Sequence, residues 1–276
     1  MKLLVTTDFS TNSKGAIRFA YSLAKQSKAV EVVFYHGVRF LQPTRWSDDF
    51  FAQYKKEETE RLVKKLEQFV TTVIGKKRTN FAGIHYVIAP SSDTEKDIIT
   101  YAEKNKIDYI CIATRGAGVV RKIMGTHTSH IVNNAKTPVL VVPSHYRLKP
   151  LKKVTYLSDF DNLSKEIKKI SLFLDTVKCN LEVLHYSSIG LDNKKFERNK
   201  MQFNKAALKN IKLNVIKNNL EFSLVERVSQ YVSKTKPELL VMFTKKEKSF
   251  FESIFLPSKS AELTYTTKVP VLIYSK

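Results

Sequence analysis

Cysteine, glycine, proline, tryptophan and acidic residues are all scarce in this 276-residue chain, and each scarcity excludes something. Two cysteines, Cys111 and Cys179, cannot build a disulfide framework or a thiolate metal cluster. Each sits in or beside an apolar, strand-like run, so both read as buried free thiols of a reducing cytoplasm. Eight glycines and eight prolines exclude a collagen-like or low-complexity chain. No apolar run approaches the ~18 residues of a membrane-crossing helix, and the segment from Met1 to Val5 meets Asp8 too soon for a secretory apolar region. The expected location is therefore cytoplasmic, with no transmembrane segment. No Gly-Lys-Ser/Thr phosphate loop occurs, and Gly116-Ala117-Gly118 lacks the third glycine of a dinucleotide fingerprint because residue 121 is arginine.

Lys and Arg number 47 against 26 Asp and Glu, a formal net charge of +21. Such a field attracts nucleotides, nucleic acid or acidic surfaces without choosing among them. The lysines fall as scattered pairs, among them Lys55-Lys56, Lys64-Lys65 and Lys168-Lys169, mostly in helical spacing, which reads as solvated helix faces rather than a basic arm. No aromatic-basic or DNA-reading motif accompanies them, so nucleic acid is not the expected partner.

The chain has 43% hydrophobic residues, enough to fill real cores. Runs rich in Val and Ile near 2–6, 30–36, 84–88, 108–113 and 138–142 predict short buried strands. Between them Ala16, Phe19, Ala20, Leu23 and Ala24 fall at helical spacing. Leu62, Leu66, Phe69, Val70 and Val73 do the same, with a shorter version at Ile98, Ile99 and Ala102. Alternating strands and helices, with strands apolar on both faces, predict a parallel sheet covered on each side. In such sheets ligands sit beyond the carboxyl ends of the strands, where the strand order reverses.

The second half repeats the first. The segment Lys2 to Ser10 answers to Lys153 to Asp161, each a strand running into Asp-Phe; Glu31 to His36 matches Leu181 to His185, and Pro138 to Val142 matches Pro270 to Tyr274. Strands are predicted near 153–158, 181–186, 212–216, 239–243 and 270–274, with a Lys-rich helical stretch at 192–210. The polar connection from Pro143 to Pro150 is a linker, giving domains at 1–144 and 151–276. The apolar last strands need cover that a lone domain would not supply.

The densest chemistry lies in Ile110-Cys111-Ile112-Ala113-Thr114-Arg115-Gly116-Ala117-Gly118, then Gly125-Thr126-His127-Thr128. A buried strand ending in a glycine-bearing loop before a helix start makes an anion cradle, because unpaired amides and the helix dipole converge there. Gly125 lacks a Cβ, so the chain there can turn its amides toward a phosphate; a loop end with a Thr N-cap is the plainer reading. Asp8, after strand one, can meet a base or sugar, or can serve as an N-cap or Asx-turn. His36 reads as a core or turn residue, and Gly37 permits close backbone approach.

This segment resembles the universal stress protein family, whose nucleotide loop reads G-x2-G-x9-G-[ST]. Two departures stand out: Ala113 replaces the first glycine, and eight residues separate Gly116 from Gly125. The resemblance implies a tandem of two similar open, mostly parallel five-stranded α/β sheets with helices on both faces, of the adenine nucleotide alpha hydrolase-like kind. These would pack as a pseudo-dimer through the last strands, and further homodimerisation is open. It implies a stress-response regulator that binds adenine nucleotide, ATP or AMP with or without Mg²⁺, through Thr6, Thr7, Asp8, Gly37, Ile112, Ala113, Gly116, Gly125, Thr126, His127 and Thr128.

Aligned on Pro138 and Pro270, Gly125, Thr126 and Thr128 correspond to Pro257, Ser258 and Ser260, and proline offers no amide hydrogen, so the second cradle is degenerate. No paired carboxylates, clustered His/Cys ligands or nucleophile with a base flank the loop. At most slow metal-assisted phosphate hydrolysis is expected. The alternative is a scaffold without nucleotide, docking on an acidic protein, a membrane or a nucleic-acid surface.

Overall fold

The computed structural model describes residues 1–75, 83–114, 126–187, 211–217, 221–244 and 269–275, together with residues 197 and 201. In chain order, the first half runs β1 (Lys2–Thr6), α1 (Lys14–Gln26), β2 (Glu31–Val38), α2 (Asp48–Ile74), β3 (Ile84–Pro90), α3 (Thr94–Lys104), β4 (Tyr109–Ala113), α4 (Thr126–Asn134) and β5 (Val139–Val142). The second continues with β6 (Lys153–Leu157), α5 (Leu163–Val177), β7 (Asn180–Ser187), β8 (Ile211–Lys217), α6 (Leu224–Thr235), β9 (Leu239–Thr244) and β10 (Val271–Ser275). The stretch 192–210, expected to be helical, lies outside the described residues apart from 197 and 201.

The ten strands of the described residues form one sheet in the order β3-β2-β1-β4-β5-β10-β9-β6-β7-β8. Each half contributes five parallel strands, as the alternating pattern predicts. The difference from two separate sheets lies at the centre, where β5 and β10 pair antiparallel with Val271 opposite Val141 and Ile273 opposite Val139. Each of these short strands is an apolar edge in its own half, and pairing satisfies its backbone groups while burying its side chains. The four residues of β5 are all buried.

Side chains alternate between two cores, as the period of a strand demands. Leu3 and Val5 enter a core with Phe19, Leu66, Phe173 and Leu272, while Leu4 enters another with Ile98, Ile131, Val228 and Val271. Both cores run unbroken across the joint. Tyr109 and Tyr274 meet there, hydroxyl to hydroxyl at 3.3 Å, and the Tyr109 ring packs edge-on against Phe173. Burial pushes the Tyr109 phenol above its ordinary range. At the end of α1, the Gln26 amide donates to the carbonyls of Leu151 at 2.6 Å and Val177 at 2.5 Å, and its oxygen accepts from Leu151 N–H at 2.8 Å. One side chain thus ties α1 to both the linker and the end of α5.

Candidate functional site

In the first half the strand order reverses between β1 and β4, because β1 leads outward to β2 and β3 while β4 and β5 fill the other side. A crevice of about 340 Å³ opens at the carboxyl ends of these strands, lined among others by Thr6, Thr7, Asp8, Gly37, Ile112, Ala113, His127 and Thr128. That volume lies in the range of small-molecule sites. Gly116 and Gly125 lie outside the described residues, as do Arg115, Arg121 and Lys122; Thr126 opens α4. Pro257, Ser258 and Ser260 of the second half are also outside them.

The β1 end is a rigid hydroxyl-and-amide turn. Ser13 Oγ donates to Ser10 O at 2.9 Å, so its 2.8 Å contact with Thr7 Oγ1 is a bond donated by the Thr7 hydroxyl. Thr7 Oγ1 in turn accepts from Phe9 N–H at 3.1 Å. Asp8 forms the Asx-turn that its position allows, Oδ1 accepting from Ser10 N–H at 3.0 Å, while the residue stays exposed at the crevice. Asp8 is not the N-cap of α1, a place held by Ser13. Phe9 takes a left-handed conformation with φ of 60°, unusual for a residue with a bulky side chain.

His36 serves the fold here. Its Nδ1 donates to Thr7 O at 2.8 Å, and its ring lies 4.5 Å from that of Phe9. Gly37 is a close approach: a Cβ there would stand 3.0 Å from Ser91 Cβ. Ser91 Oγ donates to Asp97 Oδ2 at 2.9 Å, and the same carboxylate oxygen accepts from the amides of Ser92 and Asp93. The Ser91 hydroxyl, with those amides, holds the Asp97 carboxyl below its usual range. This network fixes the start of α3, from which Thr94 and Ile98 face the crevice.

On the opposite wall, Thr128 is buried in the first turn of α4 and His127 is exposed. His127 Nδ1 bonds the Glu95 carboxylate of α3, a bridge across the mouth. The first turn of a helix has amides without intrahelical partners, a setting suited to an anion. Among the described residues no cluster of three His, Cys, Asp or Glu suitable for a metal ion occurs, and no helix is long and apolar enough to cross a membrane.

Sequence reasoning missed Ser10, Asn12, Ser13, Tyr35, Thr94, Ile98 and Ile131 in the lining, and took His36, which also lines it, for a core or turn residue. The run of Ser, Thr and Asn after β1 was the available signal for the first three. Tyr35 and the isoleucines carry none, since they look like any core residue.

A parallel α/β sheet with a crevice at its switch point is the arrangement in which open α/β folds hold their ligands. The model of the universal stress protein family matches residues 1–143, more than half of the chain, and the chain belongs to that family. It is 28% identical over 149 residues to universal stress protein MJ0531 of Methanocaldococcus jannaschii, a match spanning 51% of this chain and 81% of that one. A universal stress protein from Archaeoglobus fulgidus superposes with a TM-score of 0.69 over 99% of this chain and 98% of its own, at 17% identity. The functionally unknown protein PA1789 of Pseudomonas aeruginosa gives 0.53 over 99% and 92%, at 14% identity. At such identities the likeness is one of fold.

Proposed function

We propose that the N-terminal half, residues 1–144, binds an adenine nucleotide in the β1–β4 crevice, and that the C-terminal half, residues 151–276, is a partner with a degenerate cradle. The family match supports a regulatory role in a stress response, which this reading places in the cytoplasm. The observation that carries the reading is the convergence of Thr6, Thr7, Asp8, Gly37, Ile112, Ala113, His127 and Thr128 on one crevice beside the α4 N-terminus. Asp8 and the β1 hydroxyls would read sugar or base, the backbone at Gly37 the base edge, and the first-turn amides of α4 with Thr128 the phosphates. Among the described lining residues Asp8 is the single carboxylate, its Oδ1 held in the Asx-turn, which supports binding rather than turnover.

Titration calorimetry with ATP and AMP tests the reading, run beside Asp8→Ala, Thr128→Val and Gly125→Pro, the last copying the residue aligned with it in the second half. Saturating nucleotide should raise the melting temperature, worth about 2.7 kcal/mol at a hundredfold excess over Kd, and each variant should weaken the heats. Equal heats from wild type and all three variants, or none from wild type, defeat it.

A further inference from the structure

The linker between the halves folds back on α1, and between the two lies a second cavity of about 330 Å³. It shares no lining residue with the crevice at the strand ends. Tyr21 and Ser22 of α1 line one side, Leu148 and Pro150 of the linker the other. The volume is at the low end for small-molecule sites. The frame is held on both sides of residues 148–150. Before them, Tyr146 is buried, its ring edge-on to Phe19 at 5.2 Å and its hydroxyl donating to Lys149 O at 3.3 Å. After them, buried Leu151 is bonded through its N–H and its carbonyl to the Gln26 side chain. The cavity is thus a built part of the joint.

The chemistry of the lining selects the guest. The Gln26 amide, also in the lining, already donates to Leu151 O and Val177 O. Ser22 Oγ donates to Arg18 O at 2.9 Å, and Pro150 has no amide hydrogen. These groups hold no donor in reserve for a guest rich in acceptors, while Leu148, Pro150 and the Tyr21 ring present apolar surface. Charge comes from Lys25 and Lys149, both exposed and both in the lining. No ion pair among the described residues involves either. The two segments that build the cavity contain no Asp or Glu: α1 carries Lys14, Arg18 and Lys25, and residues 143–153 carry Arg147, Lys149, Lys152 and Lys153. Glu238 lies outside the lining, its carboxylate accepting from the amides of Lys152 and Lys153. The local field is therefore of one sign. We propose that this cavity binds a small amphiphilic carboxylate, its apolar chain or ring between Tyr21, Leu148 and Pro150 and its head between the ammonium groups of Lys25 and Lys149.

Titration calorimetry of the full chain with octanoate and with phenylacetate tests this, with octanol as the uncharged control and inorganic phosphate as the bare anion. At least one of the two carboxylates should bind, about ten-fold or more tighter than either control, and more weakly as salt rises. Lys25→Glu combined with Lys149→Glu, both at exposed positions, should keep the wild-type circular dichroism and weaken that carboxylate roughly ten-fold or more. Lys149→Ala alone should weaken it roughly two- to five-fold. Saturating ATP should leave the affinity unchanged, so the result is separable from nucleotide binding in the crevice. The proposal is overturned by an absence of heat from both carboxylates, or by octanol or phosphate binding as tightly. Undiminished binding by the two lysine variants, or displacement by ATP, overturns it equally.

Discussion

Phe9 lays its ring against His36 at 4.5 Å, and Phe160 lays its ring against His185 at 4.0 Å. The two pairs are the same device. Phe9 and Phe160 both take positive φ, 60° and 63°, and the amide of each is accepted by the hydroxyl two residues before it, Thr7 or Ser158. Each histidine donates from Nδ1 to the carbonyl of that same hydroxyl residue, at 2.8 and 2.9 Å. Left-handed backbone costs an ordinary residue roughly 1–2 kcal/mol, so ring packing and the histidine bond must offset it twice in one chain.

His36→Ala should therefore cost about 1–3 kcal/mol in urea unfolding, by freeing the Thr7 carbonyl and unpacking Phe9. His185→Ala should cost a comparable amount. The two should part in titration calorimetry: His36→Ala loosens the Thr7–Asp8 turn that lines the crevice and should weaken adenine nucleotide, whereas His185→Ala should leave it unchanged. Equal loss of binding from both would count against a single site in the first half.

Asp97 gives the pH dependence. Its carboxyl is lowered in the folded state by the Ser91 hydroxyl and the Asp93 and Ser92 amides. A depressed folded value means the contribution is fully present above the unfolded carboxyl value, about 3.9, and fades as pH falls through the folded one. Wild type should lose more stability than Asp97→Asn over that acidic interval, while the variant should be weaker at neutral pH. Parallel stability curves for the two proteins would show that Asp97 is not coupled to folding.

Gly15 tests the packing of α1 on the chain after β5. A Cβ at Gly15 would stand 2.1 Å from the Pro143 carbonyl oxygen and 2.9 Å from Ser144 Cα, both backbone atoms that cannot rotate away. In an open helix Gly→Ala stabilises by the ordinary propensity difference. Here the clash should win, and Gly15→Ala should destabilise by about 1–3 kcal/mol in urea unfolding.

The strands were legible because Val- and Ile-rich runs bounded by turn residues have one plausible conformation, and the observed β1, β4, β5 and β9 fall within a residue of the expected ranges. The repeat was legible in Asp8-Phe9 and Asp159-Phe160. The antiparallel register joining β5 to β10 into one sheet was not, since apolar edges announce a need for cover without its geometry. The first half of α2 escaped for a related reason: the period of Leu62, Leu66 and Val70 comes from burial, and residues 48–61 include none that is buried. At the site, Asp8 was open between turn and ligand. The structure shows the Asx-turn to Ser10 and leaves the side chain exposed at the crevice, and the ligand reading belongs to the proposal.

The joint between the halves offers the sharpest test of cohesion. Gln26 makes three bonds there: its amide donates to Leu151 O and Val177 O, and its oxygen accepts from Leu151 N–H. Leu151 and Val177 are almost wholly buried, so Gln26→Leu, close in volume, strands three backbone groups and should cost about 2–4 kcal/mol. Gln26→Glu should be informative through pH. A carboxylate can still accept from Leu151 N–H but would face two carbonyl oxygens, so the folded state should favour the protonated acid and raise its pKa. A raised folded value gives stability that is present below the unfolded glutamate value and lost as pH rises through the folded one. Urea unfolding of Gln26→Glu should thus approach wild type in mild acid and fall below Gln26→Leu at neutral pH. A Gln26→Glu protein whose deficit relative to wild type is the same at both pH values would show that the two carbonyls do not confront this side chain.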